Sequence, residues 1–326
     1  MRILSGVQPS GKLHLGNYFG AIQQHVQLQD GPGHECYYFI ADYHALTTTH
    51  DRAQLRENVH DVAVAYLALG LDPKRTVFYR QSDVPEVQEL AWMLASVTGV
   101  GLLERAHSYK DKVARGIVPR VGLFYYPVLM AADILMVDAD LVPVGQDQVQ
   151  HVEMTQDMAQ SFNAAFDTEA LRRPEWKLSP TPKVQGTDGE KMSKSYGNTI
   201  EIFAEGKPLK KSVMGVVTRP IDLGQPLPIE NDTVLALYRL FASEAEMAAM
   251  EADYRAGSIG YGDAKKQLLA RIDAQFAPAR ERRNELLRDP SLVEDVLSDG
   301  ARRAREVAHE VVERCREATG LLKRPV

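Results

Sequence analysis

Strand-like and helix-like segments alternate through the first two hundred residues, and this alternation limits the fold more than any other feature. "RILSGV" is short, apolar and closed by a glycine, while "GNYFGAIQQHVQLQ" spaces Phe19, Ile22, Val26 and Leu28 at helical intervals. "ECYYFIADYHAL" has the aromatic and apolar run of a buried strand. "DRAQLRENVHDVAVAYLALGL" returns to helical spacing and stops at Gly70, and "RTVFYRQS" predicts a third strand. "YYPVLMAADILMV" predicts a buried helix with Pro127 as its first residue, and "LVPVGQDQVQH" a further strand end. Strands alternating with helices of this length predict βαβ units, hence an α/β fold with a Rossmann-like parallel sheet. In such a sheet ligands bind where strands end and helices begin, which is where "SGVQPSGKLHLGN" falls.

From about Gly206 the pattern is helical only. Ser243 and Glu246 form a capping box ahead of a segment that stops at Gly257, and Ser291 with Glu294 predicts a second box after Pro290. In "DGARRAREVAHEVVERCREATG", Val307, Val311, Val312 and Cys315 share one face. A chain of 326 residues exceeds the usual single core, so two units are expected: residues 1–205 as the catalytic domain and 206–326 as an all-helical one. No apolar run is long enough to span a bilayer, and the N-terminus has no apolar secretory core. Cys36 and Cys315 lie far apart with no metal-type spacing, so neither a disulfide nor a structural metal is expected, and a reducing cytoplasm is. The net charge of −6 argues against a protein that coats nucleic acid non-specifically. Its distribution is uneven: residues from Gly206 onward carry 20 Lys and Arg against 19 Asp and Glu, the first 205 carry 18 against 25. Local basic clusters in the tail, at Lys265, Lys266, Arg280, Arg282, Arg283, Arg302, Arg303 and Arg305, are candidate phosphate contacts.

Two stretches carry chemistry. In "QPSGKLHLGN", Gln8 to Asn17, the glycines allow close backbone approach, and the helix that follows offers free N–H groups to a phosphate. It is neither a dinucleotide fingerprint nor a Walker A loop, and a tight strand-to-helix turn would explain it equally well. "PTPKVQGTDGEKMSKS" ends a loop of Pro, Gly, Thr and Asp with Lys191 and Lys194 bracketing Met192 and Ser193. Two ammonium groups on such a segment are either solvated charges or a clamp for a polyphosphate. A third feature is Asp133, set among Ala131, Ala132, Ile134 and Leu135. A carboxylate there is costly unless a donor meets it, from the protein or from a ligand.

"HLGN" near the N-terminus followed by "KMSKS" at the end of the α/β half resembles the signature pair of class I aminoacyl-tRNA synthetases, whose first motif is usually HIGH. Through "SGVQPSG", "IADYHALT", "YPVLMAADIL" and "VPVGQDQVQH" the chain is similar to the bacterial tryptophanyl-tRNA synthetases over nearly its whole length. Tyrosyl-tRNA synthetases, a related family, share both signatures. The resemblance implies a tryptophan–tRNA ligase with L-tryptophan, ATP with Mg²⁺ and tRNA(Trp) as substrates, a homodimer, the helical tail as the tRNA (anticodon) domain, and no membrane or DNA role. It assigns His14, Lys112, Lys191 and Lys194 to the phosphates, and Gln8, Pro9, Ser10, Gly16, Asn17, Gly145, Gln146, Asp147, Val184, Met192, Ser193 and Ser195, with both KMSKS lysines, to ATP. Tyr126, Met130, His44, Val142, Val144, Gln148 and Leu4 go to the amino-acid pocket, Gln148 toward the α-amino group and Asp133 as acceptor of the indole N–H. The chain departs from the family at Leu4, where many relatives have an aromatic, and at Gln146, where an acidic residue is usual. The loop before Lys191 is shorter than in many relatives. An iron–sulfur cluster, carried by some of them, is not possible with two distant cysteines. Rival readings are tyrosine activation, adenylyl transfer to another small acid, and a non-catalytic RNA-binding paralogue. Intact Lys191, Lys194, Gly16 and His14 argue against the last.

Overall fold

The computed structural model describes residues 1–106, 120–178 and 184–322. Five strands form one parallel sheet: β1 (Arg2–Val7), β2 (Glu35–Ile40), β3 (Thr76–Arg80), β4 (Leu141–Val144) and β5 (Glu175–Leu178), in the order β3-β2-β1-β4-β5. The winding reverses at β1, so a crevice opens at the carboxyl ends of β1 and β4, the switch point of a Rossmann-like sheet. Successive strand residues alternate between two cores. Ile3, Cys36, Tyr38, Ile40 and Phe78 face one, and Leu4, Tyr37, Phe39, Val77 and Tyr79 the other. Helices cover both faces, which is why the strands read as continuous apolar runs.

The helices that position the crevice and close the tail are α1 (Arg52–Ala68), α2 (Glu86–Val97), α3 (Val121–Leu135), α4 (Val149–Ala165), α5 (Gly206–Met214), α6 (Thr233–Arg239), α7 (Glu244–Ala256), α8 (Tyr261–Arg288) and α9 (Pro290–Thr319). Three local expectations need correction. The segment after "HLGN" is helical from Leu15 to Leu28 but passes through a π turn at Tyr18–Ile22. Pro127 lies inside α3 and not at its start; Leu123 loses the N–H that would meet its carbonyl, and burial on both sides of the proline holds the helix together. The cap before α9 is Asp289, whose carboxylate accepts from the Ser291 N–H at 3.2 Å, because Pro290 occupies the first helical position. The Ser243–Glu246 box is present, and α7 ends at Gly257 with φ +66°. No helix among the described residues is long and apolar enough to cross a membrane.

The last helix is built into the sheet layer. Val293 and Leu297 join the first core, whereas Ala301, Ala304, Ala308, Val311 and Val312 join the second, so α9 crosses the sheet along its β3 edge. The crossing point is Gly300, where a Cβ would stand 1.9 Å from the Phe78 carbonyl oxygen. One turn on, Arg303 Nη1 donates to the carbonyls of Pro73 and Thr76, both at 2.9 Å. An edge strand otherwise left with open backbone groups is thereby covered. Gly300→Ala should cost about 1–3 kcal/mol in urea unfolding, because the strand and helix must part, although alanine favours an ordinary helix. The exposed Ser298→Ala should stay within about 0.5 kcal/mol, and equal stability of both variants would contradict the close crossing.

Candidate active site

At the switch point lies a cavity of about 420 Å³. Leu4, His44, Tyr126, Met130, Asp133, Val142, Val144 and Gln148, the residues expected around an amino acid, all border it. Gln8 and Gly145, expected at the nucleotide, open into the same space. Sequence reasoning missed Phe39. Its ring lies against Gly6, where a Cβ would approach within 2.5 Å, and it borders the cavity, so β2 supplies an aromatic wall where β1 carries Leu4. Tyr126 is hydrogen-bonded to His151 Nε2 at 2.6 Å, and burial pushes its phenol up to about 12.

Asp133 is fully buried in α3, and two strand ends meet it. His44, in the turn after β2, lies with Nε2 2.9 Å from Oδ2. Gln81, in the turn after β3, donates Nε2 to Oδ1 at 2.8 Å and to Oδ2 at 2.9 Å. Burial raises the carboxyl pKa above its ordinary value, while the His44 and Gln81 contacts pull it back. A carboxylate has about four acceptor positions, so capacity for one further donor remains. Asp133 has no water-accessible surface; half-buried Met130, one helical turn earlier, is the flexible part of the wall beside it. Gln81 left little trace in the sequence, because a glutamine at a strand end reads as an ordinary solvated residue.

The two motifs also meet. His14 pairs with Glu201 as an isolated bridge, the Leu15 N–H donates to the Ile200 carbonyl at 3.0 Å, and Asn17 Oδ1 accepts from the His14 N–H at 3.0 Å. Lys194 Nζ reaches across to the Ser10 carbonyl at 2.7 Å. At Gly16 a Cβ would stand 3.0 Å from the His14 ring and 3.6 Å from Met192 Cβ, so the KMSKS loop packs on the HLGN turn. Met192, Val184 and Pro9 are buried supports; Ser193 Oγ and Ser195 Oγ lie 2.8 Å apart. Lys191 is exposed, as are Gln146 and Asp147, which sit in the turn after Gly145. Gln148 donates to Asp147 at 2.9 Å. Lys112 lies outside the described residues.

A family profile described as "tRNA synthetases class I (W and Y)" matches residues 1–277. The chain belongs to that family. It is 50% identical to a tryptophan–tRNA ligase of Rhodopirellula baltica, over 98% of this chain and 100% of the relative. A tryptophan–tRNA ligase of Fusobacterium nucleatum is 48% identical, over 98% of each chain. The crystal structure of tryptophanyl-tRNA synthetase from Campylobacter jejuni, complexed with ADP and tryptophan, superposes with a TM-score of 0.93 at 47% identity, covering 98% of this chain and 100% of that one.

The basic tail residues of this synthetase are mostly engaged within the protein. Arg303 serves the β3 edge, Arg305 pairs with buried Glu86, Arg283 with Asp61, and nearly buried Arg280 with Asp273. Lys265 donates to the Met214 carbonyl, Lys266 pairs with Asp263, Arg282 with Glu285, and Arg302 with Asp299 and Glu306. Among the described residues, Lys207, Lys210 and Lys211 of α5 are exposed and lack an ion-pair partner.

Two histidines of the site region link protonation to folding. Burial lowers His25, beside the cavity, to about 4, and burial with the Lys194 charge lowers His14 to about 4. Their ordinary value is 6.5, so between these limits the unfolded synthetase holds more protons than the folded one. Their contribution to stability is present above about 6.5 and is lost as pH falls toward 4, at up to roughly 1.4 kcal/mol per pH unit for each proton. In urea unfolding across that window, His25→Gln should show a slope shallower by about one proton than the parent. Parallel curves would contradict the buried neutral imidazole.

Proposed function

We propose that the chain activates L-tryptophan with ATP and transfers it to tRNA(Trp). The observation that carries this reading is the buried carboxylate at the wall of an aromatic-lined cavity, beside a packed HLGN and KMSKS pair. Indole N–H can only donate, and Asp133, held as an acceptor by Gln81 and His44, has one acceptor position left for it. Movement of Met130 would open the path. Tyrosine fits less well: its phenol also needs a donor, and Leu4 stands in the first strand, bordering the cavity.

The tryptophan carboxylate attacks the α-phosphorus of ATP, forming tryptophanyl-adenylate as the bond to the bridging oxygen breaks and pyrophosphate leaves. A hydroxyl of the terminal tRNA adenosine then attacks the activated carbonyl; AMP leaves and the hydroxyl proton passes to solvent. Neither step needs a protein nucleophile, so the residues act by positioning and by meeting charge on the phosphates. Lys194 would exchange its contact with Ser10 for a phosphate oxygen. Neutral His14, whose buried Nδ1 has no hydrogen-bond partner, suits a phosphate contact. Lys191 and Lys112 complete the set in this reading. Mg²⁺ would arrive with the nucleotide substrate; among the described residues there is no group of three His, Cys, Asp or Glu to hold it.

For tRNA we assign the lysines of α5, spaced on one helical face directly after the KMSKS loop, in place of the paired arginines of the tail. Residues 206–326 remain our tRNA-binding half, with α9 also serving the sheet. Exposed Trp92, Val100 and Val121, on neighbouring elements, favour a homodimer, and two free, buried cysteines suit a cytoplasmic site of action. Amino-acid-dependent exchange of pyrophosphate into ATP tests the activity: tryptophan alone among a panel should support it, and use of tyrosine or of none would overturn it. Lys194→Ala should reduce exchange by roughly 10²–10³ with the fold intact. Lys207→Ser, Lys210→Ser and Lys211→Ser together should spare exchange and weaken tRNA charging; equal loss of both would reject the α5 assignment.

A further inference from the structure

Gln81 has no accessible surface and does not border the cavity, yet both ends of its carboxamide are engaged. Oε1 accepts from the Tyr43 N–H at 3.1 Å, which leaves Nε2 facing Asp133, where it spans both carboxylate oxygens at 2.8 and 2.9 Å. A backbone donor can be read in only one sense, so the amide cannot turn over without losing both sets of contacts. The carboxylate is thereby fixed in rotation, and a donor lying across both oxygens favours the ionised form against the burial that opposes it. His44 alone reaches only Oδ2 and would allow the carboxylate to turn or take up a proton. A protonated Asp133 could turn its O–H toward the indole N–H, which cannot accept it, and its remaining carbonyl oxygen is a weaker acceptor than a carboxylate.

We infer that Gln81 is the positioning residue that sets ligand choice, by holding Asp133 as an acceptor-only group toward the cavity. The inference rests on the tryptophan reading above. It extends that reading to a side chain that never touches the ligand, on a strand end remote in sequence from α3.

The test compares tryptophan with the analogue whose indole nitrogen is replaced by sulfur, by competition in pyrophosphate exchange, in the parent and in Gln81→Met. This substitution keeps the length and removes the donor. KM for tryptophan should rise roughly 10- to 100-fold, the range for losing a hydrogen bond to a charged group, while KM for ATP and the saturated rate stay near parental values. Preference for tryptophan over the sulfur analogue should fall by a similar factor. Gln81→Glu is the second variant. It matches the parent in size and still accepts from Tyr43, but the two buried carboxyls must share one proton, so Asp133 is no longer held as an acceptor and the preference should fall. A folded variant with the parental preference overturns the inference. Loss of folding in both variants overturns it too, since Gln81 would then serve the fold and not the choice of ligand. Failure of the parent itself to prefer tryptophan removes the tryptophan reading, and is told apart by appearing before any substitution is made.

Discussion

A carboxylate enclosed by apolar side chains must be met by donors or take up a proton, and Asp133 is enclosed completely. Its donors come from the turn after β2 and the turn after β3, so one charge ties two strand ends to α3. The cavity wall depends on that knot. Removing either partner would leave a buried charge short of hydrogen bonds, a far larger penalty than a surface ion pair could offset. This is why a cluster of polar groups persists at the centre of an otherwise apolar core.

The HLGN and KMSKS side of the crevice is organised on the opposite principle, with a fixed base and exposed charges. Asn198 is the base: buried, it accepts from the Ser193 N–H at 2.8 Å and donates to Asp188 at 2.7 Å and to the Lys191 carbonyl at 3.1 Å. Gly186 makes room for it, since a Cβ there would lie 2.2 Å from Asn198 Nδ2. The loop backbone is thus anchored beside the HLGN turn, and the lysines extend from it. Fixed donors aimed at a charge that develops during reaction need no reorganisation at that moment, which favours this arrangement for phosphate chemistry.

Much of this was legible in the sequence where a period or an oddity marked it. Strand runs and helical spacing gave the parallel sheet, because helices on both faces leave the strands apolar throughout. Asp133 stood out for being misplaced among alanines. Gln81 did not, since nothing local distinguishes a buried amide at a strand end from a wet one, and Phe39 was hidden inside an aromatic run. Helix α2 went unread although Val87, Leu90, Ala91 and Leu94 share its buried face. The rule that places proline at a helix start misdirected the reading of Pro127, where packing overrides the missing hydrogen bond. Two tail arginines have partners that are distant in sequence: Arg305 meets Glu86, and Arg303 meets β3, across more than two hundred residues. Pairing of that kind is a property of the fold and has no signature in one segment.

The central claim is that the indole nitrogen of the substrate donates to Asp133. Proton NMR of ¹⁵N-indole-labelled tryptophan bound to the protein reads that bond directly, because an N–H donated to a buried carboxylate is deshielded relative to one in water. The account predicts a single bound indole N–H resonance, shifted well downfield, slow to exchange with solvent, and returned toward the free value in Asp133→Asn. A bound resonance at the free position, or one that Asp133→Asn leaves in place, would contradict it.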